Sequence, residues 1–201
     1  MAAGRELFAE RGLAGTTVRD LAHSSGIALG TVFNYFPGGK DDLAVAIVED
    51  ATEDARAAFL ARRRPDTTCT EELFAHVAAE FRALEPCRRF VADVANHLAR
   101  SGAGYPEGAP RPADVRGLRD AHLATVWQIL ADHNRLRALS PVVEQLYWTL
   151  YLGVLSSWSR DESRGQSETL ALLDEALHFF VLSLDEPRAA REEARDVTDH
   201  R

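Results

Sequence analysis

The sequence lacks the marks of a secreted or membrane-spanning protein. Its 201 residues include only two cysteines, Cys69 and Cys87, and their spacing matches no zinc-binding pattern. Two isolated cysteines suit a reducing compartment. No signal peptide precedes the first predicted helix, and the longest nearly uncharged apolar run, residues 146–158, is shorter than the roughly 20 residues that span a bilayer. We therefore expect a soluble, cytoplasmic protein with no membrane partner.

The sequence also lacks the motifs of common enzyme classes. Gly38-Gly39-Lys40 resembles a phosphate-binding loop, but Asn34 stands where the first glycine is required and Asp41 where a serine or threonine is required. No G-x-S-x-G nucleophile motif occurs, and Ser156-Ser157 lies within an apolar helix. We expect no catalytic activity.

Metal-binding patterns are weak. Asp93 and His97 lie four residues apart on one predicted helix, a spacing that can bind a metal ion, and His76 or His122 could join them. Neither a cysteine cluster nor an HExxH pattern accompanies them. The sequence therefore predicts no metal site and no cofactor.

Residues 16–36 carry the most informative pattern, which predicts two short helices around a tight turn. Thr17 can accept hydrogen bonds from the first turn of a helix, and Asp20, three residues later, completes a capping box. Leu21 and Ala22 continue one apolar face that Val18 begins. Gly26 can adopt the left-handed conformation that the turn needs.

The second short helix has Val32 and Phe36 on its inner face. Thr31, Asn34 and Tyr35 then project outward, and their side chains are of the size that reaches phosphates and base edges. The two helices are thus predicted to form a helix-turn-helix that enters DNA. Lys40, at the start of the next helix, is placed to hold a phosphate.

The remaining chain reads as helices only. Hydrophobic residues make up 46% of the sequence, enough for one small and one medium domain. We predict helices over 2–11, 41–64, 71–84, 86–100, 113–134, from 141, and over 167–184, with a loop over 101–110. The predicted domains are a helix-turn-helix domain over 1–45, a helical domain over 46–184 and a frayed, charged tail over 185–201.

The helix that begins at Pro141 is apolar around nearly its whole circumference, so it needs neighbours on both sides. One side can pack on its own domain, and the other then needs a partner chain. We predict that this helix and the last one pair with their copies in a four-helix homodimer interface. The predicted interface residues are apolar: Leu146, Leu150, Val154, Trp158, Leu170, Leu173, Leu177, Phe180 and Val181.

Several spaced motifs together resemble one known family. They are Leu7-Phe8-Ala9-Glu10-Arg11-Gly12, residues 16–22, Gly26, Gly30-Thr31-Val32-Phe33, Tyr35-Phe36 and Lys40. In this combination they resemble the DNA-binding domain of the TetR family of bacterial transcriptional regulators, over about the first quarter of the chain. The resemblance implies an all-α protein in which a long helix joins the helix-turn-helix domain to a C-terminal ligand-binding and dimerisation domain.

The chain departs from the family pattern at two positions of the second short helix. Phe33 replaces a tyrosine whose hydroxyl usually contacts a phosphate, and Ala28 replaces a small capping residue, at a cost of about 1 kcal/mol in helix-end stabilisation. The interval from Phe36 to Lys40 is also one residue longer than usual.

Within this frame the expected DNA contacts fall into two groups. Thr31 and Asn34 are candidates for base or phosphate contacts, and Leu29 either touches a thymine methyl group or packs in the core. The residues expected to contact the DNA backbone and position the protein on it are Thr17, Arg19, Tyr35 and Lys40. Ala28, at the start of the second short helix, is a further expected DNA contact. Two heads on a two-fold axis should read a roughly palindromic operator with half-sites about 34–36 Å apart, or a multiple of that distance.

Charge is distributed in keeping with this picture. The net charge is −8, but residues 1–40 carry four basic and three acidic side chains, a net +1 that leaves −9 for the rest. A weakly positive head on an acidic body should bind nonspecific DNA poorly, so binding depends on specific contacts and on dimerisation.

The resemblance further implies a repressor that is released by a small, largely apolar effector bound among the middle helices. Candidate walls and polar groups of that pocket are Phe81, Phe90, Asn96, His97, His122, Trp127, Tyr147, Trp148 and Tyr151, with Glu144 as a further polar group. Two alternatives remain open: an activator of the same architecture, and a helical small-molecule-binding protein that has lost operator recognition. Phe33, Ala28 and the short first helix motivate the second alternative.

Overall fold

The computed structural model describes residues 1–64, 66–102, 113–135 and 140–185. Within these ranges it contains helices and no strands. The α-helices are α1 (Ala2–Arg11), α2 (Val18–Ser25), α3 (Leu29–Tyr35), α4 (Lys40–Ala61), α5 (Cys69–Ala83), α6 (Arg88–Gly102), α7 (Ala113–Asp132), α8 (Pro141–Arg160) and α9 (Ser167–Asp185). Short 3₁₀ turns cover Glu85–Cys87 and Arg164–Gln166.

The first three helices form a small head around Phe8, Leu21 and Val32, which are all buried. Helix α1 approaches α4 closely at Gly4, where an added Cβ would lie 2.9 Å from Leu43 Cδ2. A side chain at that position would force Leu43 to shift, so the glycine allows α1 and α4 to pack closely.

Helix α4 joins the head to the larger helical body. Its first half packs on α1, and it also contacts α5, α6 and α7. In the body, α8 packs on α6 and α9, while α9 also packs on α5. One hydrophobic cluster runs without a break from Leu7 in α1 to Leu184 in α9.

Direct contacts between head and body surround the end of α1. The rings of Phe8 and Phe90 contact each other in a tilted arrangement at a centroid distance of 5.2 Å, and Arg5 forms a 2.8 Å ion pair with Asp50. Arg89 of α6 donates hydrogen bonds to carbonyl oxygens at the end of α1. A shift of α6 or α4 therefore acts directly on the head.

The structure changes some of the predicted helix bounds. Helix α4 ends at Ala61 rather than near residue 64. Helix α5 begins two residues earlier than predicted because Thr68 caps it: the Thr68 hydroxyl accepts from Glu71 N, and the Glu71 carboxylate accepts from Thr68 N. Helix α6 continues to Gly102, so the predicted loop starts later. The rest of that loop and residues 186–201 of the predicted tail lie outside the described residues.

No helix in the described part of the chain is both long enough and apolar enough to cross a membrane.

Candidate functional site

The helix-turn-helix forms as the sequence predicts. Thr17 Oγ1 accepts from Asp20 N at 3.1 Å, and Asp20 Oδ2 accepts from Thr17 N at 2.9 Å, which completes the capping box. The Asp20 carboxylate also accepts from the Thr17 hydroxyl at 2.6 Å, and this hydrogen bond and the one from Thr17 N lower the pKa of Asp20, so the cap is charged at neutral pH. Gly26 ends α2 with φ 65° and ψ 29°, the left-handed conformation expected of the turn.

Helix α3 presents one buried and one exposed face. Val32 packs into the head, while Leu29, Asn34 and Tyr35 face solvent and Thr31 is half-buried. Tyr35 is 75% exposed, so its side chain contributes little to the core. The predicted contacts Thr17, Arg19 and Ala28 are exposed as well. The structure therefore brings hydrogen-bonding and apolar groups together on one open surface.

The side chain of Lys40 is engaged within the head. Its ammonium donates to the carbonyl oxygens of Leu13 at 2.8 Å and Thr16 at 3.1 Å, which fixes the loop between α1 and α2. Two of its three hydrogens are used in this way. A contact between Lys40 and a DNA phosphate stays a prediction. Without rearrangement, only the third ammonium hydrogen is available for that contact.

The turn between α3 and α4 depends on Asp42, in the first turn of α4. Asp42 is 2% exposed, and its carboxylate accepts from Gly38 N at 2.6 Å. Gly39 has φ 70° and is buried against Val18 and Phe33. This packing gives Phe33, which cannot donate a hydrogen bond, a role in holding the turn.

The predicted pocket residues lie mainly in the core of the body. Phe81, Phe90, His122, Tyr147, Trp148 and Tyr151 are buried, Trp127 and His97 are partly buried, and Asn96 is exposed. Phe90 packs on α1 rather than toward the other aromatic residues. Their function as an effector pocket stays a prediction.

His122 lies at the centre of a buried polar cluster in that core. Its Nδ1 is 2.9 Å from Glu80 Oε2, and its Nε2 is 3.2 Å from the Tyr147 hydroxyl. Tyr151 donates to Glu80 Oε2 at 3.1 Å, and His76 Nε2 lies 3.7 Å from Glu80 Oε1. The cluster thus joins α5, α7 and α8.

Glu80 is the acidic residue of this cluster. Burial alone would raise its pKa, but electrostatic interactions with His122 and His76 and the hydrogen bonds from His122 and Tyr151 outweigh burial and hold the pKa at about 2. Burial lowers the pKa of His76 to about 4, so its imidazole is neutral at pH 7. Burial likewise raises the pKa values of Tyr147 and Tyr151, which stay protonated.

Sequence reasoning missed Glu80 and did not place His76 beside His122. The two histidines are members of the set that it considered for metal binding, but Asp93 is exposed and outside the cluster. A signal was present, because His76 and Glu80 are four residues apart on α5. Both cysteines are buried and unpaired, and burial raises the pKa of each thiol to about 11.

A cavity of about 580 Å³ lies between α4 and α5. Its apolar wall consists of Phe59 and small side chains of both helices. Its rim is rich in arginines: Arg62, Arg63, Arg64 and Arg82. None of the predicted pocket residues lines this cavity.

Arg63 is neutralised within the structure. It forms ion pairs with Glu72 and with Asp132, the latter at 2.6 Å, and His133 lies 2.9 Å from Glu72. Burial would raise the pKa of Glu72, but the hydrogen bonds from Arg63 and His133 lower it. Arg62, Arg64 and Arg82 have no ion pair among the described residues, so the cavity rim carries uncompensated positive charge.

The predicted dimer residues divide into two groups. Leu146 is 55% exposed, while Leu150 and Leu170 are half-buried. The other six pack inside the protomer and therefore do not lie on its surface: Val154, Trp158, Leu173, Leu177, Phe180 and Val181.

Other apolar residues of α8 and α9 do face solvent. Val142, Leu172, Phe179 and Leu182 are exposed together with Leu146, and Phe179 is 66% exposed. Gly153 of α8 is also exposed, and a Cβ added there would have no other atom within 4 Å. We call Leu146, Leu172, Phe179 and Leu182 the apolar surface of α8 and α9.

Known proteins resemble this chain in the sequence of the head and in the fold. A family model described as bacterial regulatory proteins, tetR family, matches residues 1–47. No curated protein sequence matches the chain. Among solved structures, a TetR transcriptional regulator from Rhodococcus sp. RHA1 is 19% identical, with a TM-score of 0.63 over 89% of this chain and 91% of that chain.

Two further solved structures are both described as regulators named FadR. The regulator FadR from Bacillus subtilis, in complex with stearoyl-CoA, is 17% identical, with a TM-score of 0.55 over 90% of this chain and 95% of that chain. The fatty acid degradation regulator FadR from Bacillus halodurans is 16% identical, with a TM-score of 0.53 over the same shares of the two chains. At these identities the likeness concerns the fold, and the predicted all-α architecture is confirmed.

Proposed function

Because the chain carries the DNA-binding domain of the TetR family and has the fold of solved TetR regulators, we propose that it is a ligand-responsive repressor that binds a palindromic operator as a homodimer. The observation that carries the proposal is the exposed face of α3. Asn34 and Tyr35 are exposed there, while the opposite face of the helix is buried through Val32. Recognition helices of this type read base edges in the major groove.

The dimer brings two such faces to one duplex. The apolar surface of α8 and α9 supports dimerisation, since a soluble monomer rarely exposes several large apolar side chains on two adjacent helices. The exposed Gly153 permits close approach of a second α8. A two-fold interface repeats the same patch on both chains and relates the two heads by the same axis.

Selection of bound duplexes from a random-sequence pool tests DNA recognition. The purified full-length protein is used at near-physiological salt, because nonspecific contacts weaken as salt rises. We expect enrichment of a palindrome. Asn34→Ala should weaken binding to that sequence about 10-fold or more, since a good base contact contributes about 1–3 kcal/mol.

Asn96→Ala is the matched control, because Asn96 is an exposed asparagine on α6, away from the head. It should leave affinity unchanged. A protein that folds, dimerises and enriches no sequence would support the alternative of a ligand-binding protein that has lost operator recognition. Equal loss of affinity in Asn34→Ala and Asn96→Ala would contradict the proposal that α3 contacts the bases.

The effector that we propose is an amphiphilic anion held between α4 and α5. The apolar wall of the cavity suits an acyl chain, and Arg62, Arg64 and Arg82 suit phosphate or carboxylate groups. The similarity in fold to a regulator in complex with stearoyl-CoA supports this ligand class.

The position of the cavity supports a mechanism for release. Phe59, in the last turn of α4, lines the cavity, while the first half of the same helix packs on α1 of the head. A ligand that separates α4 from α5 therefore displaces the helix on which the head rests. Release requires that the ligand bind the displaced state more tightly than the DNA-bound state.

Titration of the protein–operator complex with stearoyl-CoA tests this mechanism. We expect stearoyl-CoA to dissociate the complex and coenzyme A alone to do so only weakly, because it lacks the acyl chain. Arg82→Ala should raise the stearoyl-CoA concentration needed by about 10-fold, the usual effect of losing one charge-assisted hydrogen bond. Arg164→Ala, in the exposed 3₁₀ turn, is the control. Equal responses to stearoyl-CoA in Arg82→Ala and Arg164→Ala would exclude this cavity as the effector-binding site.

A further inference from the structure

The cluster of His76, Glu80 and His122 contains more hydrogen-bonding capacity than the described residues satisfy. Both ring nitrogens of His76 and Glu80 Oε1 are buried without a hydrogen-bond partner. All three residues are at most 1% exposed. A buried polar atom without a partner costs about 1–3 kcal/mol, so these atoms call for an occupant. An ion bound to Glu80 Oε1 and to one ring nitrogen of His76 satisfies two of the three.

The three side chains point candidate ligand atoms at one another. One nitrogen of each histidine and one Glu80 carboxylate oxygen all lie within 4.8 Å of one another. His76 Nε2 and Glu80 Oε1 are 3.7 Å apart, and His122 Nδ1 is 2.9 Å from the other Glu80 oxygen. Ligands about 2.0–2.1 Å from a tetrahedral zinc ion are separated by about 3.3 Å. The 3.7 Å between His76 Nε2 and Glu80 Oε1 is close to that separation, and His122 Nδ1 would exchange its present partner, Glu80 Oε2, for the ion.

We propose that His76, Glu80 and His122 bind one divalent transition-metal ion with the ligand preference of Zn²⁺. Two imidazoles and one carboxylate are ligands that such an ion accepts, and they leave the fourth position of a tetrahedral site open. A water molecule or an oxygen atom of a bound small molecule can occupy that position. The proposal goes beyond DNA and effector binding and does not depend on either.

The helices hold these ligands in place before any ion binds. His76 and Glu80 are four residues apart and share one face of α5, while His122 comes from α7. The rings of His122 and Tyr151 pack in a tilted arrangement at a centroid distance of 4.0 Å, which limits rotation of the imidazole. The ion would therefore link two helices whose ligands are already oriented.

Tyr147 and Tyr151 supply the surrounding hydrogen bonds. With an ion on Nδ1, the proton of His122 must lie on Nε2, and Nε2–H then donates to the Tyr147 oxygen, 3.2 Å away. Tyr151 donates to Glu80 Oε2 and leaves Oε1 free for the ion. Partners of this kind fix the tautomer of a ligating histidine and the orientation of a ligating carboxylate.

The site lies directly behind the cavity between α4 and α5. Phe59 lines that cavity and also packs on His76, with ring centroids 5.1 Å apart. Rotation of the Phe59 side chain would open a path from the cavity to the ion. Arg56 of α4 is a cation close enough to His76 for its charge to act on the imidazole, and its Nη1 is buried without a hydrogen bond. Its charge opposes ion binding.

Titration of the chelator-treated full-length protein with ZnCl₂, followed by calorimetry, tests the proposal. We expect one ion per chain. His76→Gln and His122→Gln should each weaken binding at least 100-fold, and Tyr147→Phe about 10-fold because it removes an outer hydrogen bond. His178→Gln, at an exposed histidine of α9, should leave binding unchanged. Arg56→Met should tighten binding, because it removes a neighbouring positive charge and keeps the apolar stem.

Co²⁺ provides a readout that does not depend on variants folding. We expect a Co²⁺ spectrum typical of nitrogen and oxygen ligands at low coordination number, without a thiolate-to-cobalt charge-transfer band. Such a band would assign the ion to Cys69 or Cys87 and overturn the proposal. No saturable binding of Zn²⁺, or equal affinities in wild type and folded His76→Gln and His122→Gln, would overturn it as well.

Discussion

Helix α3 begins at Leu29, and Ala28, the capping residue before it, provides no side-chain hydrogen bond. The backbone of Ala28, with φ −69° and ψ 147°, already has the extended conformation of a capping residue. The amide hydrogens of the first turn of α3 therefore depend on backbone carbonyls and solvent. Ala28 lies on the exposed surface that we assign to DNA. A hydroxyl at this position would cap α3 and could also donate a hydrogen bond to a phosphate.

Ala28→Ser should stabilise the protein. The new hydroxyl can accept a hydrogen bond from the first turn of α3, and we expect the free energy of unfolding to rise by about 1 kcal/mol in urea denaturation. Ala124→Ser, at an exposed position within α7, should instead lower it by about 0.5 kcal/mol, since serine is a poorer helix former than alanine. Equal effects of the two substitutions would contradict the absence of a cap on α3.

Much of the head could be predicted residue by residue. Thr17, Asp20 and Gly26 act within a few residues of one another, so their types and spacing determine the local backbone. The role of Lys40 could not be predicted in this way. Its partners, the carbonyls of Leu13 and Thr16, are 27 and 24 residues away in sequence and come near only when α1 and α4 pack.

The connection between α8 and α9 depends on one carboxylate. Asp161 Oδ1 accepts from Ser163 N at 2.8 Å, and Oδ2 accepts from Thr169 N at 2.8 Å and from Thr169 Oγ1 at 2.6 Å. These donors hold the pKa of Asp161 well below its ordinary value of 3.8. The folded protein therefore favours the charged form, which fixes the start of α9.

Asp161→Asn should lower the melting temperature at pH 7, because the amide accepts fewer of these hydrogen bonds. A lowered pKa in the folded state gives stability that is present above the pKa of the unfolded chain and is lost as the pH falls. The difference between wild type and variant should therefore be largest above about pH 5 and shrink as the pH falls below 3.8. A difference that stays constant from about pH 7 to about pH 3 would show that the carboxylate charge has no such role.

The inward faces of α8 and α9 could not be predicted from their sequences. Because α8 is apolar around nearly its whole circumference, its sequence does not indicate which face points into the protomer. Val154 and Trp158 were therefore predicted at the dimer surface, although they are buried in the protomer. The cluster around His122 was hidden for a related reason. Glu80 and His122 are 42 residues apart, and their meeting depends on the register between α5 and α7.

The whole molecule is proposed to act as a dimer through the apolar surface of α8 and α9. Leu146→Glu combined with Phe179→Glu places charges on two of its most exposed residues. Burial of unpaired charges is costly, so we expect the variant to sediment as a monomer at concentrations where the wild type is a dimer.

Leu60→Glu changes a leucine of α4 that is 45% exposed and lies outside this surface, so it should remain dimeric. Dimers in both variants would place the interface elsewhere. A monomeric wild type at micromolar concentration would contradict the two-headed arrangement itself.

A footprint of the full-length protein on its selected duplex tests the central claim most directly. Two recognition helices on one two-fold axis should protect two segments of major groove, related by the symmetry of the palindrome and about 34–36 Å apart, or a multiple of that distance. Asn34→Ala should weaken both protected segments equally, because each head contributes one copy of α3. Protection of a single segment, or of the backbone without any major-groove protection, would contradict operator reading by a dimer through α3.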